Sequence, residues 1–144
     1  MTRSTTSFRL DDDLRESLSR LAQAEGTSVT SVVERLLREG LAMDQHPGII
    51  FNPGPTGRRA AISGTGLDVW EIISSLRYMS GPESERITAL AEDLEIHEQN
   101  IRIALDYAAA HRQEIEARMR ANDEAFDEAE RLAQERKRLL EEGS

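Results

Sequence analysis

The chain has 144 residues, with 18 Lys and Arg against 27 Asp and Glu, 38% hydrophobic and 4% aromatic residues, and no cysteine. This length allows one ordinary domain or two small ones, and so few apolar and aromatic side chains argue against a single large core. Without cysteine there is no disulfide framework, thiolate nucleophile or thiolate-bound zinc.

The start MTRSTTSFRL lacks an apolar stretch of signal-peptide length, and no segment has the roughly 18 uninterrupted apolar residues of a membrane span, so a soluble, cytoplasmic protein is expected. Acids outnumber bases in each third of the chain: eight to six over residues 1–47, eleven to seven over 48–119 and eight to five over 120–144. The exception is local. The first ten residues hold Arg3 and Arg9 and no acid.

Residues 5–10, TTSFRL, alternate, so Thr6, Phe8 and Leu10 face one side of a short strand and Thr5, Ser7 and Arg9 the other. Asp11, Asp12 and Asp13 then supply a cap and first-turn acids. Leu14, Leu18, Leu21 and Ala22 follow at helical spacing, which predicts a helix over about 12–24 that Gly26 ends in a left-handed conformation. Thr27 or Ser28 caps the next. Val29, Val32, Val33, Leu36, Leu37 and Leu41 mark its apolar stripe, over about 29–42.

One six-residue strand cannot satisfy its own edge, and two amphipathic helices without another layer leave apolar surface wet. Two copies related by a two-fold axis resolve both: the strands pair antiparallel into a ribbon, and four helices interlock beneath it. The expected dimer core comprises Thr6, Phe8, Leu10, Leu14, Leu18, Leu21, Val32, Val33, Leu36 and Leu37.

Residues 43–68 hold three of the four Pro and five Gly, which marks a boundary. Within it, 48–51 and 58–62 are expected as two strands around the turn at Asn52–Gly57. Beyond Asp68, a cap candidate, Val69, Trp70, Ile73, Leu76 and Met79 share a helical side, with Trp70 expected as a core anchor. Ser80, Gly81 and Pro82 stop that helix. Ile87, Leu90, Ala91 and Leu94 mark another over about 83–93. After a turn at 94–96, Ile101, Ala104, Leu105 and Ala108 mark a third. From about 112 onward the chain is charged and keeps only a loose helical spacing through Ile115, Met119, Phe126, Ala129, Leu132, Ala133, Leu139 and Leu140. Alone it should be marginal or frayed, yet its stripe suits a partner's groove.

The search for catalytic chemistry yields nothing. Gly54, Gly57, Gly64 and Gly66 lack the strand-to-helix context of a phosphate loop, and they read as turn residues. His46, His97 and His111 are far apart in sequence and none belongs to a His-Glu-x-x-His pattern, so no metal site is expected. The acids Asp123, Glu124, Asp127 and Glu128 read as a solvated helix face. No cofactor and no enzymatic activity are expected.

The pattern STTSFRLDDDLRESLSRLAQAEGTSVTSVVERLLREGL, over residues 3–42, resembles a ribbon-helix-helix DNA-binding module of the Arc, MetJ and CopG repressor families. The resemblance implies that the ribbon enters the major groove, with Thr5, Ser7 and Arg9 facing bases. An arginine fork suits guanine O6 and N7 together. It further implies a phosphate held by the amides of Thr27, Ser28 and Val29 at the start of the second helix, with Arg3 on the backbone. Asp11–Asp13 depart from the basic character of many such modules and imply modest affinity per dimer.

From His46-Pro47-Gly48-Ile49 to about Met119, through Gly57-Arg58-Arg59-Ala60, Asp68-Val69-Trp70-Glu71 and Leu105-Asp106-Tyr107-Ala108, the chain also resembles a small bacterial antitoxin-associated domain. Residues 87–108 have a helix-turn-helix rhythm that places His97, Gln99, Asn100 and Arg102 near an outer face. Arg58 and Arg59 are expected either on DNA or paired with acids of this domain. Joined to a ribbon-helix-helix module, the arrangement resembles an antitoxin of a type II toxin–antitoxin pair. That resemblance implies repression of its own promoter at an operator in double-stranded DNA. It also implies a PIN-type ribonuclease toxin bound through Phe126, Ala129, Leu132, Arg136, Leu139 and Leu140, where buried apolar anchors outweigh rim charges. A stand-alone transcriptional regulator and a dimeric interaction protein that binds no DNA are the alternatives.

The expected fold is therefore mainly α. A ribbon-helix-helix domain over 1–44 forms an intertwined dimer with a two-stranded antiparallel ribbon; a small β-hairpin plus three-helix domain follows over 45–119, and a C-terminal helical tail over 120–144.

Overall fold

The structure, a computed structural model, describes residues 2–55 and 57–143. Thr56 of the expected turn and Ser144 of the tail lie outside the described residues. The chain is mainly α and divides into two compact units, Met1–Asp44 and Gln45–Ser144.

In the first unit, residues 2–10 carry no regular secondary structure in the single chain. Helix α1 spans Asp12–Glu25, with Asp11 extended at its cap position and Asp12 and Asp13 in its first turn, where the helix dipole favours them. Gly26 ends it at φ 65°. There the Gly26 N–H donates to the Gln23 carbonyl (3.2 Å) and the Thr27 N–H to the Ala22 carbonyl (3.0 Å), closing the last turn. Helix α2 spans Val29–Gln45, three residues beyond the expected end. Ser28 caps it: its Oγ accepts from the Ser31 N–H at 3.1 Å. Arg35 reaches back to Glu25 (2.8 Å) and along its own helix to Glu39 (3.5 Å), tying α1 to α2.

The second unit opens with a three-stranded antiparallel sheet, in the order β1 (Ile49–Asn52), β2 (Arg59–Ile62), β3 (Leu67–Asp68). Ile49 pairs with Ile62 and Asn52 with Arg59 across the expected hairpin. The third strand was not anticipated: two residues are too few for a period-2 pattern, and only the Thr65 turn returns them to β2. Its Oγ1 donates to the Ile62 carbonyl at 2.9 Å and accepts from the Leu67 N–H at 3.1 Å.

Helices α3 (Val69–Tyr78), α4 (Glu83–Leu94), α5 (Glu98–Ala110) and α6 (Arg112–Glu141) follow. The α4–α5 corner is closed by Glu95 in the left-handed region (φ 54°), where the Ile96 N–H donates to the Ala91 carbonyl at 3.1 Å. His97 caps α5 through Nδ1, which accepts the Gln99 N–H at 3.0 Å. Val69, Ile72, Ile73 and Leu76 of α3 pack with Ile87 and Leu90 of α4, Ile101 and Ala104 of α5 and Ile115 of α6 as the buried core.

Two expectations are corrected here. Trp70 is only half-buried, because the buried side of α3 runs through Ile72 and turns the indole outward; Tyr107, 1% exposed, fills the aromatic place in the core. The tail is not frayed: α6 is one unbroken helix through residue 120, carried by Ile115 in the core and by ion pairs such as Arg138–Glu135 (3.1 Å) and Arg131–Glu128 (3.0 Å) along its solvated length.

Candidate nucleic-acid interface

Thr5, Ser7 and Arg9 are all exposed in the single chain, and so are their alternating neighbours Thr6, Phe8 and Leu10. Phe8 is 76% exposed, a large apolar ring with nothing over it. The exposure continues into the helices through Leu14, Val29, Leu36, Leu37 and Leu41, whereas Leu18, Leu21 and Val33 are half-buried and Val32 is buried. Phe8, Leu10, Leu14, Val29, Leu36, Leu37 and Leu41 thus leave much apolar surface uncovered within one small unit.

At the turn between α1 and α2, the residues expected to hold phosphate divide. The Thr27 N–H is committed to the α1 cap, and the Ser28 hydroxyl to the α2 cap. Ser28 and Val29 stand at the start of α2, where free amides and the helix dipole favour an anion. Arg3, largely in solvent, is 3.8 Å from the half-buried Glu34, a contact too long and screened to hold it. A shallow depression of about 580 Å³ along α1, lined by Asp12, Arg15, Glu16, Ser19 and Arg20, is the open charged surface of one helix and encloses nothing.

In the second unit, His97, Gln99 and Arg102 are exposed and Asn100 is half-buried. Glu98 binds this surface inward. It accepts from Thr88 Oγ1 (2.8 Å) and Arg102 (2.9 Å), and these hydrogen bonds, the threonine's foremost, hold its carboxyl below its ordinary value. Arg59 lies 2.8 Å from Asp68, in an ionic contact through an Nε that is buried and makes no aligned hydrogen bond. The Asp68 carboxylate also accepts from the Trp70 indole N–H at 3.1 Å, so it serves the strand and the tryptophan and makes no side-chain cap bond to α3. Arg58 donates to the Phe51 carbonyl at 3.3 Å, within its own hairpin. Burial first, and the neighbouring Asp68 second, raise Glu71 above its ordinary value.

Sequence reasoning missed one cluster. His111 stacks on Tyr107 with ring centroids 4.3 Å apart, and His46 meets both rings edge-on at 5.3 and 5.5 Å. The Tyr107 hydroxyl donates to Glu114 at 2.8 Å. His46 and His111 are 65 positions apart in the chain, so no spacing could have joined them. Among the described residues no group of three or more His, Asp or Glu is placed to hold a metal ion. No helix among them is long and apolar enough to cross a membrane.

On α6, Phe126, Ala129, Leu132, Arg136, Leu139 and Leu140 are exposed, Leu139 at 71% and Leu140 at 81%.

Residues 4–43 match the family described as Ribbon-helix-helix protein, copG family. The match spans most of the first unit and supports a general DNA-binding, regulatory role for it. No curated protein and no solved structure matches the chain.

Proposed function

We propose that this protein is a dimeric, sequence-specific DNA-binding transcriptional regulator that acts through an N-terminal ribbon. The observation that carries the reading is a coincidence within residues 4–43. The stretch that matches the copG family is also the stretch whose Phe8, Leu10, Leu14, Leu36 and Leu37 stay uncovered in one copy. A second copy supplies the cover. Strand 5–10 pairs with its equivalent, and Thr6, Phe8 and Leu10 close over Leu14, Leu18, Leu21, Val32, Val33, Leu36 and Leu37. Thr5, Ser7 and Arg9 then face the major groove of an operator in double-stranded DNA.

Base contacts from the ribbon specify, and phosphate contacts from Ser28 and Val29 at the start of α2, with the Thr27 hydroxyl and Arg3, set the register. No catalytic group, metal or cofactor is called for. A cytoplasmic location goes with this reading. Arg9→Ala tests it: binding to the promoter fragment should weaken by about 1–3 kcal/mol, roughly 5- to 150-fold, with the dimer retained. Unchanged binding in a titration by fluorescence anisotropy would remove the ribbon from the interface.

A second reading is favoured by the exposed α6 residues: an antitoxin that represses its own promoter and neutralises a toxin, of the PIN-type ribonuclease class. Phe126, Leu132, Leu139 and Leu140 are its anchors, with Ala129 and Arg136 between them. The second unit and the tail, 45–119 and 120–144, then serve partner binding. Co-expression with the adjacent gene tests it, and a toxin retained both by the Phe126→Ala variant and by a chain lacking 123–144 would exclude the tail.

A further inference from the structure

From Asn122 to Gly143 every residue is exposed. The apolar residues of this half of α6 are not scattered. Met119, Phe126, Ala133 and Leu140 recur every seven residues, Asn122, Ala129 and Arg136 fall between them, and Ala125, Leu132 and Leu139 flank the same side. A repeat of 3.5 rather than 3.6 keeps one seam facing a neighbouring helix along its length.

The charges say which neighbour. Residues 121–130 carry five acids and no base, and residues 131–138 carry four bases and one acid. A parallel second copy would set acid on acid and base on base. An antiparallel copy sets each segment against its complement, because a two-fold axis across the helix reverses the order. An unrelated helix would need that reversed order built into it; a second copy has it by symmetry.

We propose that the distal half of α6 pairs antiparallel with α6 of a second copy, about a two-fold axis near Arg131. In this register Ala129 meets the partner's Ala133, small on small, which lets the axes approach. Phe126 meets the partner's Arg136, a guanidinium over an aromatic face. Leu132 meets the partner's Leu132, and Asp123 meets the partner's Lys137 on the flank. Glu130 meets the partner's Glu130 on the axis, a solvated repulsion that the two Asp123–Lys137 contacts offset. The register also seats the exposed leucines. The partner's Leu140 and the partner's Leu139 arrive at Asn122 and Ala125. Asn122 lines two clefts, of about 310 and 130 Å³, that share Trp70, and Ala125 lines the larger. The outward indole thus has an apolar neighbour to receive.

The chain contains no cysteine, so introduced thiols report without background. The test compares the full-length double variant Asp123→Cys/Lys137→Cys with Asp123→Cys alone, each oxidised mildly and mapped by peptide mass spectrometry. Fourteen helical residues span about 21 Å, well beyond the roughly 7 Å limit for Cα atoms joined by a disulfide, so a bond between 123 and 137 is intermolecular. The double variant should give the 123-to-137 disulfide, and Asp123→Cys alone should stay monomeric on a non-reducing gel. A 123-to-123 bond, or a double variant whose thiols stay free or bond only to another protein, overturns the proposal. Because the readout is the residue pair and not the mass, the ribbon dimer neither produces nor hides it.

Discussion

Arg9 and Arg59 show how far the meaning of an arginine depends on its surroundings. Arg9 has no acid within its own ten-residue segment and is exposed. Arg59 lies against Asp68 at 2.8 Å and holds β2 to the start of α3. Of the two readings offered for Arg58 and Arg59, pairing with an acid of this domain is seen for Arg59, while Arg58 spends a donor on the Phe51 carbonyl. Glu71 offers a test of sign. Its folded-state carboxyl is raised by burial and by Asp68, so the fold favours the protonated form. Stability from this residue is therefore lost as pH rises from the ordinary glutamate range through the raised value. Glu71→Gln should melt at a higher temperature than the parent at pH 7, with the gap closing on acidification toward pH 4, as measured by calorimetry. A gap that widens in acid would contradict the assigned shift.

At the scale of elements, the helices follow their caps. Gly26 takes φ 65° with open space where a Cβ would stand, so Gly26→Ala incurs only the backbone cost of the left-handed region. That cost is about 1–2 kcal/mol, and urea unfolding should show it. A neutral substitution would mean that α1 ends another way. Glu95 adopts the same conformation without being glycine, and for that reason the α4–α5 corner was visible only as an interruption in the apolar pattern. Helix α6 was expected to be marginal because its composition is poor in large apolar groups. It forms because Ile115 anchors its first turns in the core, and propagation from an anchored turn avoids the nucleation cost.

At the scale of the molecule, the proposed dimer is what would make residues 4–43 a working unit. Leu37 is 55% exposed in one chain. Leu37→Asp places a charge in the proposed dimer core, and sedimentation should find monomer together with loss of DNA binding. A dimer of unchanged affinity would move Leu37 out of the interface. Because bases are few in the unit and the salt dependence scales with the phosphates contacted, binding of the parent protein should weaken only shallowly with salt in a titration series by fluorescence anisotropy.

The order and approximate bounds of α1 to α4 and of the β1–β2 hairpin, and the place of α5, were legible from the chain alone, because capping groups, glycine stops and apolar periods are local and act within a few residues. So was the alternation from Thr5 to Leu10, though residues 2–10 take no regular structure in the single chain and the pairing proposed for them is with a second copy. The fold in space settled what depends on distant residues meeting. It chose Tyr107 over Trp70 for the core, brought His46 onto the His111–Tyr107 stack, returned two residues as β3, and gave Asp68 to Arg59 and the indole. Periodicity says which side of a helix is apolar; only packing says which large side chain fits the volume left by its neighbours.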